Sequence, residues 1–498
     1  MNIQQPRAYL AEPPATGRIR RFVEAYPLAF CLALALLTRL PVALFDNNFV
    51  APDEIMQYLG QAHRLVYHSG PVPWEFQVGL RSWLIPGLLA GPVWVVKALG
   101  GSPHAGIVLA KILLCFLSLT IVWCAFQWGR IYHGVQGACI AGGLAALWPD
   151  LWLMAPHALE EALSAYTLVP AAYFATLARQ DRTTRHVLAA GFLLGLSFVL
   201  REQLAPAIAI IGIYLCWRDV RFWLLGVGMA CVPVLLAGGL DWLTWGQPFR
   251  SFWLNIYLNV IVGVSSGAFG AVPAIFYMVM LLADWLWSFA AVLLFASRGA
   301  RALPFVALAA LSILAEHSLI PHKEFRFIFP ATALIIPLAG VGLAASWRHF
   351  STSRRILVGV FLLSGAFASP LVPINLLMQT TAYQLSNELA QLHPCIVAMD
   401  IADGYFIPVT PIFNNTAFTN APYAAEADAI IAPKNVGGIP PGFVRQSCVA
   451  RNRGPLTGRG PQICYWIKPA GWCQETKLPP PFELIFPPAA RRYIIAGH

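Results

Sequence analysis

The stretch HKEFRF, His322 to Phe327, holds a histidine, two fixed cations and a carboxylate in a chain where only 11% of residues are charged. Arg326 offers a planar fork and Lys323 a mobile ammonium, a pair of shapes that suits a phosphate. Pro321 fits the first turn of a helix. That predicts a helix placing His322 and Arg326 on one face, with free N–H groups at its start turned towards any anion. Three readings fit these residues: a phosphate seat, a knot in which Glu324 neutralises Lys323 or Arg326, or an interfacial cluster of snorkelling side chains.

A second candidate is APDEIMQYLGQAH. Pro52 starts a helix with Asp53 and Glu54 in its first turn, Gln57 one turn on, and His63 further along. Two adjacent carboxylates can be a general base with a helper, a metal site, or a cap on the helix dipole. The third candidate is Arg201 with Glu202, which interrupts a long apolar stretch. An arginine at mid-membrane costs about 2.5–3.5 kcal/mol, so this pair either neutralises itself in an outer turn or binds a lipid phosphate or sugar. Glu160 and Glu161 share that side and that ambiguity.

The elements that position these residues are apolar. The chain is 58% hydrophobic over 498 residues, and many near-charge-free runs have the length of spanning helices. Backbone groups in a bilayer must be satisfied internally, so continuous apolar runs select helices. The net charge of +10 lies mostly in short loops: RIRR (18–21), RQDRTTR (179–185), WRDVR (217–221), SRGAR (297–301) and WRHFSTSRR (347–355). This is a positive-inside pattern, which accounts for the charge without nucleic acid. An uncleaved first helix at 26–44 is expected, then spans near 107–129, 137–153 and 160–178, while 83–98 is too broken for a full crossing. Hairpins follow at 187–200 with 203–216, 222–240 with 272–296, and 302–319 with 328–346, then a last span at 356–376. The total is about 11 spans.

These spans put the loop 46–80, Arg201–Glu202, the aromatic segment 241–271 and the 320–327 loop on the non-cytosolic side. The membrane unit is 1–377. Residues 378–498 turn to short strand patterns with frequent proline and glycine, and read as a small mixed α/β extracytoplasmic domain. It carries Cys395, Cys448, Cys464 and Cys473, an even number that suggests disulfides of undetermined pairing; wide spacing without a suitable histidine argues against zinc.

Together these pieces resemble glycosyltransferase family 22. These are mannosyltransferases of C-type fold that use dolichyl-phosphate-mannose to build GPI anchors and lipid-linked oligosaccharides. The resemblance rests on SLIPHKEFRFIFPATALIIPLAG (318–340), PDEIMQYLGQAHRLVY (52–67), WEFQVGLRSWLIPG (74–87), GLSFVLRE (195–202) and DWLTWGQPFRSFWLNIYLNV (241–260), and covers about 35–345. It implies a polyprenyl-phosphate-sugar donor, a glycan or glycolipid acceptor, inverting transfer on the non-cytosolic face, and no cofactor or essential metal. The matched segments add His63, Trp74, Glu75, Arg81 and Glu324 as substrate-binding candidates. The chain is shorter than the eukaryotic members, keeps their first-loop pattern only in part, and has an unmatched C-terminal region. Those departures suggest a bacterial relative in an inner membrane, with its site facing the periplasm or exterior; in a eukaryote the site would face the ER lumen.

Asp53 is then expected as the base that takes the acceptor proton, with Glu54 orienting acceptor or base. Lys323, Arg326 and His322, backed by Arg201, are expected to hold the departing lipid phosphate. A transporter or flippase of a lipid-linked anion is the alternative. It would show paired half-structures and broken helices near midplane, and the sequence has no such symmetry.

Overall fold

The computed structural model describes residues 25–45, 47–400, 407–450, 462–469, 473 and 478–482; the RIRR stretch lies outside them. Among the described residues, four helical stretches are long and apolar enough to cross a membrane: Pro27–Phe45, Pro103–Leu147, Val220–Trp245 and Phe325–Trp347. Two further pairs qualify together, Phe276–Trp285 with Ser288–Gly299, and Thr352–Phe367 with Leu371–Ala390. Shorter apolar helices include Leu84–Ala98, Thr184–Leu200 and Pro304–Leu319. The Leu84–Ala98 helix has 15 residues, short of the roughly 20 a crossing needs.

Two expected spans merge differently. The runs near 107–129 and 137–153 form one long helical stretch broken at Gly134, where φ is 69° and ψ is −163°, a conformation that glycine tolerates best. The expected single span 272–296 is instead bent by 106° between Trp285 and Ser288. There the Trp285 indole donates to Asp150 Oδ2 at 2.8 Å, and the Ser288 hydroxyl donates to the carbonyl of Leu362 at 2.8 Å. Both side chains find partners on neighbouring helices, which fixes the break.

The helix Phe329–Trp347 is the centre of the bundle and is buried along nearly its whole length. Small residues let backbones touch there, as is common between membrane helices. A Cβ added at Gly342 would lie 1.8 Å from the Phe295 carbonyl oxygen, and one at Gly340 would lie 2.8 Å from Ala141 Cα. Two of the basic loops, 179–185 and 217–221, meet at the end of the bundle away from the candidate residues. Arg182 meets Asp219 beside the start of the Thr184–Leu200 helix, and Arg201 follows that helix's far end. Seventeen residues at 1.5 Å each separate the two ends by about 25 Å.

Among its described residues, the C-terminal region begins with the helix Thr380–Ala390 and forms one sheet of five strands: β1 (Ile396–Met399), β2 (Ala417–Asn420), β3 (Ala429–Pro433), β4 (Val444–Ala450) and β5 (Gln462–Ile467). Their order is β2-β1-β3-β5-β4. β1 pairs in parallel with β2 and β3, while β5 runs antiparallel to β3 and β4. Disulfides join Cys395 to Cys473 and Cys448 to Cys464. The Asp428 carboxylate accepts from the N–H groups of Cys395, Ile396 and Cys473, tying both ends of the first disulfide to β3.

Candidate active site

The first-loop helix begins at Pro52 and opens as a π-helix, Glu54–Leu59, before continuing as the α-helix Gly60–Tyr67. The Gly60 N–H reaches back to the Ile55 carbonyl, and a Cβ on Gly60 would sit 2.5 Å from that oxygen. Consecutive helical side chains point about 100° apart, which divides the two adjacent carboxylates. Asp53 faces the bundle rim, with its side chain 29% exposed. Glu54 faces inward and is fully buried.

Asp53 meets the expected cation directly. Arg326, 273 residues away, donates from one terminal nitrogen to Asp53 Oδ2. Its Nε donates to Glu324 Oε2 at 2.8 Å, and its other terminal nitrogen lies 3.4 Å from Glu161 Oε1. Three carboxylates, Asp53, Glu161 and Glu324, thus surround the Arg326 guanidinium and offset the cost of burying its charge. Burial also opposes ionisation of Glu324, yet Arg326 and His322 keep it well below the usual carboxylate range.

The network extends through Glu161 to Arg201, whose terminal nitrogen lies 3.1 Å from Glu161 Oε1 and 2.9 Å from Glu160 Oε1. Glu160 also accepts from the Tyr58 hydroxyl at 3.0 Å and from Arg81 at 3.4 Å. Arg201 and Arg326 lie over the ring of Phe327, their guanidinium carbons 5.1 and 5.2 Å from its centroid. The 320–327 loop, the first outer loop, the start of the Glu160–Asp181 helix and the end of the Thr184–Leu200 helix thus meet at one rim.

The expected helix beginning at Pro321 does not form. Glu324 is extended, a short 3₁₀ turn follows at Phe325–Ile328, and Pro330 sits in the first turn of the long helix instead. His322 and Arg326 are therefore not joined by a helical face. Glu324 joins them, with its Oε1 3.3 Å from His322 Nε2. Lys323 turns away from Arg326: its ammonium donates to the carbonyls of Val272, at 2.8 Å, and Ile320. Burial pulls its pKa down. The loop thus contains the ion-paired knot that the sequence allowed, built on Arg326.

The other candidates separate into rim and scaffold. Glu54 is anchored by His157 Nδ1 at 2.9 Å and by the N–H groups of Ala158 at 3.0 Å and Val50 at 3.3 Å. Burial opposes its charge, but His157 and Lys111 outweigh it and hold its pKa below the usual value. It anchors the loop to the bundle, on the side turned away from Arg326. His63 Nε2 lies 2.8 Å from the Phe413 carbonyl and its ring stacks on Tyr67; burial lowers its pKa to about 4. It ties the first loop to the C-terminal region. Trp74 packs with Leu80, Leu258 and Val264, joining the two outer segments.

Glu75 and Arg81 stay at the rim. The Gln57 amide nitrogen lies 3.0 Å from both Asp53 Oδ1 and Glu75 Oε1. Burial, with Asp53 nearby, pushes the Glu75 carboxyl up to about 7 although Arg81 and Gln57 favour its charged form. Beside Glu160 opens a cavity of about 380 Å³. Tyr58, Arg81, Glu160, Glu202 and Asn255 line its polar end, and Leu200, Val234 and Phe252 its apolar wall. Such a mixture fits a ligand with a hydroxyl-rich head and an apolar tail. Gln57 and Tyr58 were not singled out as site residues in the sequence, and Glu160 and Glu161 were left ambiguous. The acidic pair opening an apolar helix was the available signal.

The bundle and sheet define a polytopic membrane protein of C-type glycosyltransferase fold. The structure is similar to that of ArnT from Cupriavidus metallidurans bound to undecaprenyl phosphate, with a TM-score of 0.62 and 13% identity over 88% of this chain and 97% of that one. The chain belongs to the Alg9-like mannosyltransferase family, whose pattern matches residues 30–396. It is 25% identical over 317 residues to GPI mannosyltransferase 3 of Yarrowia lipolytica, covering 60% of this chain and 59% of that protein. It is 26% identical over 390 residues to GPI mannosyltransferase 3 of Trypanosoma brucei brucei, covering 66% of each. The chain thus spans roughly three fifths to two thirds of the length of these relatives.

Proposed function

We propose that this protein is an inverting membrane glycosyltransferase that moves mannose from a polyprenyl-phosphate-linked donor to a glycan or glycolipid acceptor on the non-cytosolic face. The observation that carries the proposal is the contact of Asp53 with Arg326, a partly exposed carboxylate beside a fixed cation. Family membership and the mannosyltransferase relatives support the sugar and the reaction. The undecaprenyl phosphate bound to the structurally similar ArnT supports a polyprenyl carrier.

In this reading the acceptor hydroxyl attacks the anomeric carbon and gives its proton to Asp53. The bond from that carbon to the phosphate oxygen breaks, and its electron pair leaves on polyprenyl phosphate. Arg326 takes up the developing negative charge, with Arg201 behind it. The cavity at Glu160 receives the donor: its carboxylates and amide accept and donate to sugar hydroxyls while the apolar wall faces the lipid. His322 acts by fixing Glu324, and hence the Nε edge of Arg326. Lys323 holds the loop through its two carbonyl contacts. None of these steps needs a metal or cofactor.

The test is incubation of the purified protein, in lipid vesicles, with polyprenyl-phosphate-mannose labelled in the sugar and a panel of glycolipid acceptors. Label appearing on an acceptor with inverted anomeric configuration is the expected result. Label that crosses the bilayer still attached to its lipid would support the transporter instead. Label that stays on the donor with every acceptor would remove the transferase reading.

A further inference from the structure

Asp53 is held on both sides. Arg326 occupies Oδ2, and Gln57 lies 3.0 Å from Oδ1. Gln57 is only 3% exposed, and its nitrogen is equally close to Glu75 Oε1 on the next helix, Trp74–Val78. Among the described residues its carbonyl oxygen is buried without a hydrogen-bond partner. An apolar side chain of the same length would fill the site without that penalty. A glutamine is useful here because one NH₂ group can serve two carboxylates at once.

We infer that Gln57 is a positioning residue for Asp53, with Glu75 as the anchor that fixes the direction of its amide. The inference rests on the glycosyl-transfer reading above. With Oδ1 and Oδ2 each met by a donor, the carboxylate cannot swing about its Cβ–Cγ bond, and its remaining lone pairs keep one direction towards the acceptor. A base misplaced by a fraction of an ångström loses much of its rate advantage.

Glu75 strengthens the assignment. It is faced by Asp53 and Gln57 from the first-loop helix and by Arg81 from the turn after its own helix. Arg250, on the helix Arg250–Asn255, bonds the Val78 carbonyl at the end of the same short helix. Since burial pushes the Glu75 carboxyl up to about 7, much of it is neutral near neutral pH, which limits repulsion against Asp53 across the shared amide.

The test compares wild type, Gln57→Met and Glu75→Gln in the vesicle assay over pH 5–9, with thermal melting of each detergent-solubilised protein as the folding control. Gln57→Met preserves length and removes both N–H groups. It is expected to lower kcat by about 10- to 100-fold with the donor KM within about threefold, since the base loses its direction while donor binding keeps its contacts. Glu75→Gln keeps an acceptor oxygen for the Gln57 amide and is expected to lose much less, about threefold or less in kcat. A wild-type kcat in Gln57→Met overturns the positioning role while leaving the transferase reading intact. If Gln57→Met does not fold, Glu75→Ala, which takes away the second acceptor of the Gln57 amide, replaces it, and a wild-type kcat there overturns the role. Absence of transfer by the wild type overturns both.

Discussion

Two faces of one short helix, Pro52 to Tyr67, carry the same kinds of side chain and do different things. On the rim face, Asp53 meets the Arg326 guanidinium, Tyr58 donates to the Glu160 carboxylate, and Gln57 bridges two carboxylates. On the inner face, Glu54 and His63 are buried against His157, backbone N–H groups and a carbonyl. A carboxylate on the rim keeps part of its surface open, and a carboxylate on the inner face has every oxygen engaged with the scaffold. Adjacent residues of nearly equal chemistry are thereby split into a partly open carboxylate and an anchor, because consecutive helical side chains point about 100° apart.

The largest effect that tests this split is on turnover. Asp53→Asn keeps the shape and is expected to lower transfer by about 10²–10⁴-fold while the protein still folds, read as initial rates in vesicles beside a melting curve. Arg326→Gln is expected to cost about 10²–10³-fold, with a raised donor KM, because both the charge on the leaving phosphate and the register of Asp53 lose their support. Glu54→Ala acts on the other face. It strips a buried carboxylate from His157 and two N–H groups and is expected to cost about 3–5 kcal/mol of stability, seen as a lower melting temperature. Activity per folded molecule falls far less than in Asp53→Asn. A Glu54→Ala protein that melts normally but transfers nothing would reverse the two faces.

The smallest effect concerns pH. His63 is held neutral in the fold, with its pKa lowered to about 4, and the unfolded chain binds the proton more readily. Stability from this contact is therefore complete above the ordinary histidine pKa of about 6.5 and is lost as pH falls through about 4. Melting temperature measured from pH 7 to pH 4 is expected to drop more steeply in wild type than in His63→Phe, which has no ring proton to gain. Equal slopes would remove His63 from the acid response.

Much of the rim was legible in the sequence because a charge placed beside an apolar span needs a reason. HKEFRF, PDE and Arg201 all announced themselves that way, and apolar length marked the helices around them, though not the break at Gly134 or the bend between Trp285 and Ser288. The helix start at Pro321 was misread because proline is permissive, not decisive, at a first turn; Pro330 supplies the start, and Lys323 bonding to Val272 and Ile320 holds the loop extended. Gln57 and Glu160 were harder to assign because their meaning lies in contacts between distant segments, such as Tyr58 with Glu160 or Arg201 with Glu160. Periodicity carries no signal for such pairs. Glu54, expected to orient acceptor or base, is held by His157 and backbone N–H groups, and a local pattern cannot say which neighbour turns inward.

The central claim, that Asp53 and Arg326 form one reacting unit, is tested most directly by a double-mutant cycle on transfer rate with Asp53→Asn, Arg326→Gln and the pair. If the two act together, the double variant is about as slow as the worse single variant, far from the product of the two losses. Losses that multiply, or a double variant near the wild-type rate, would contradict it.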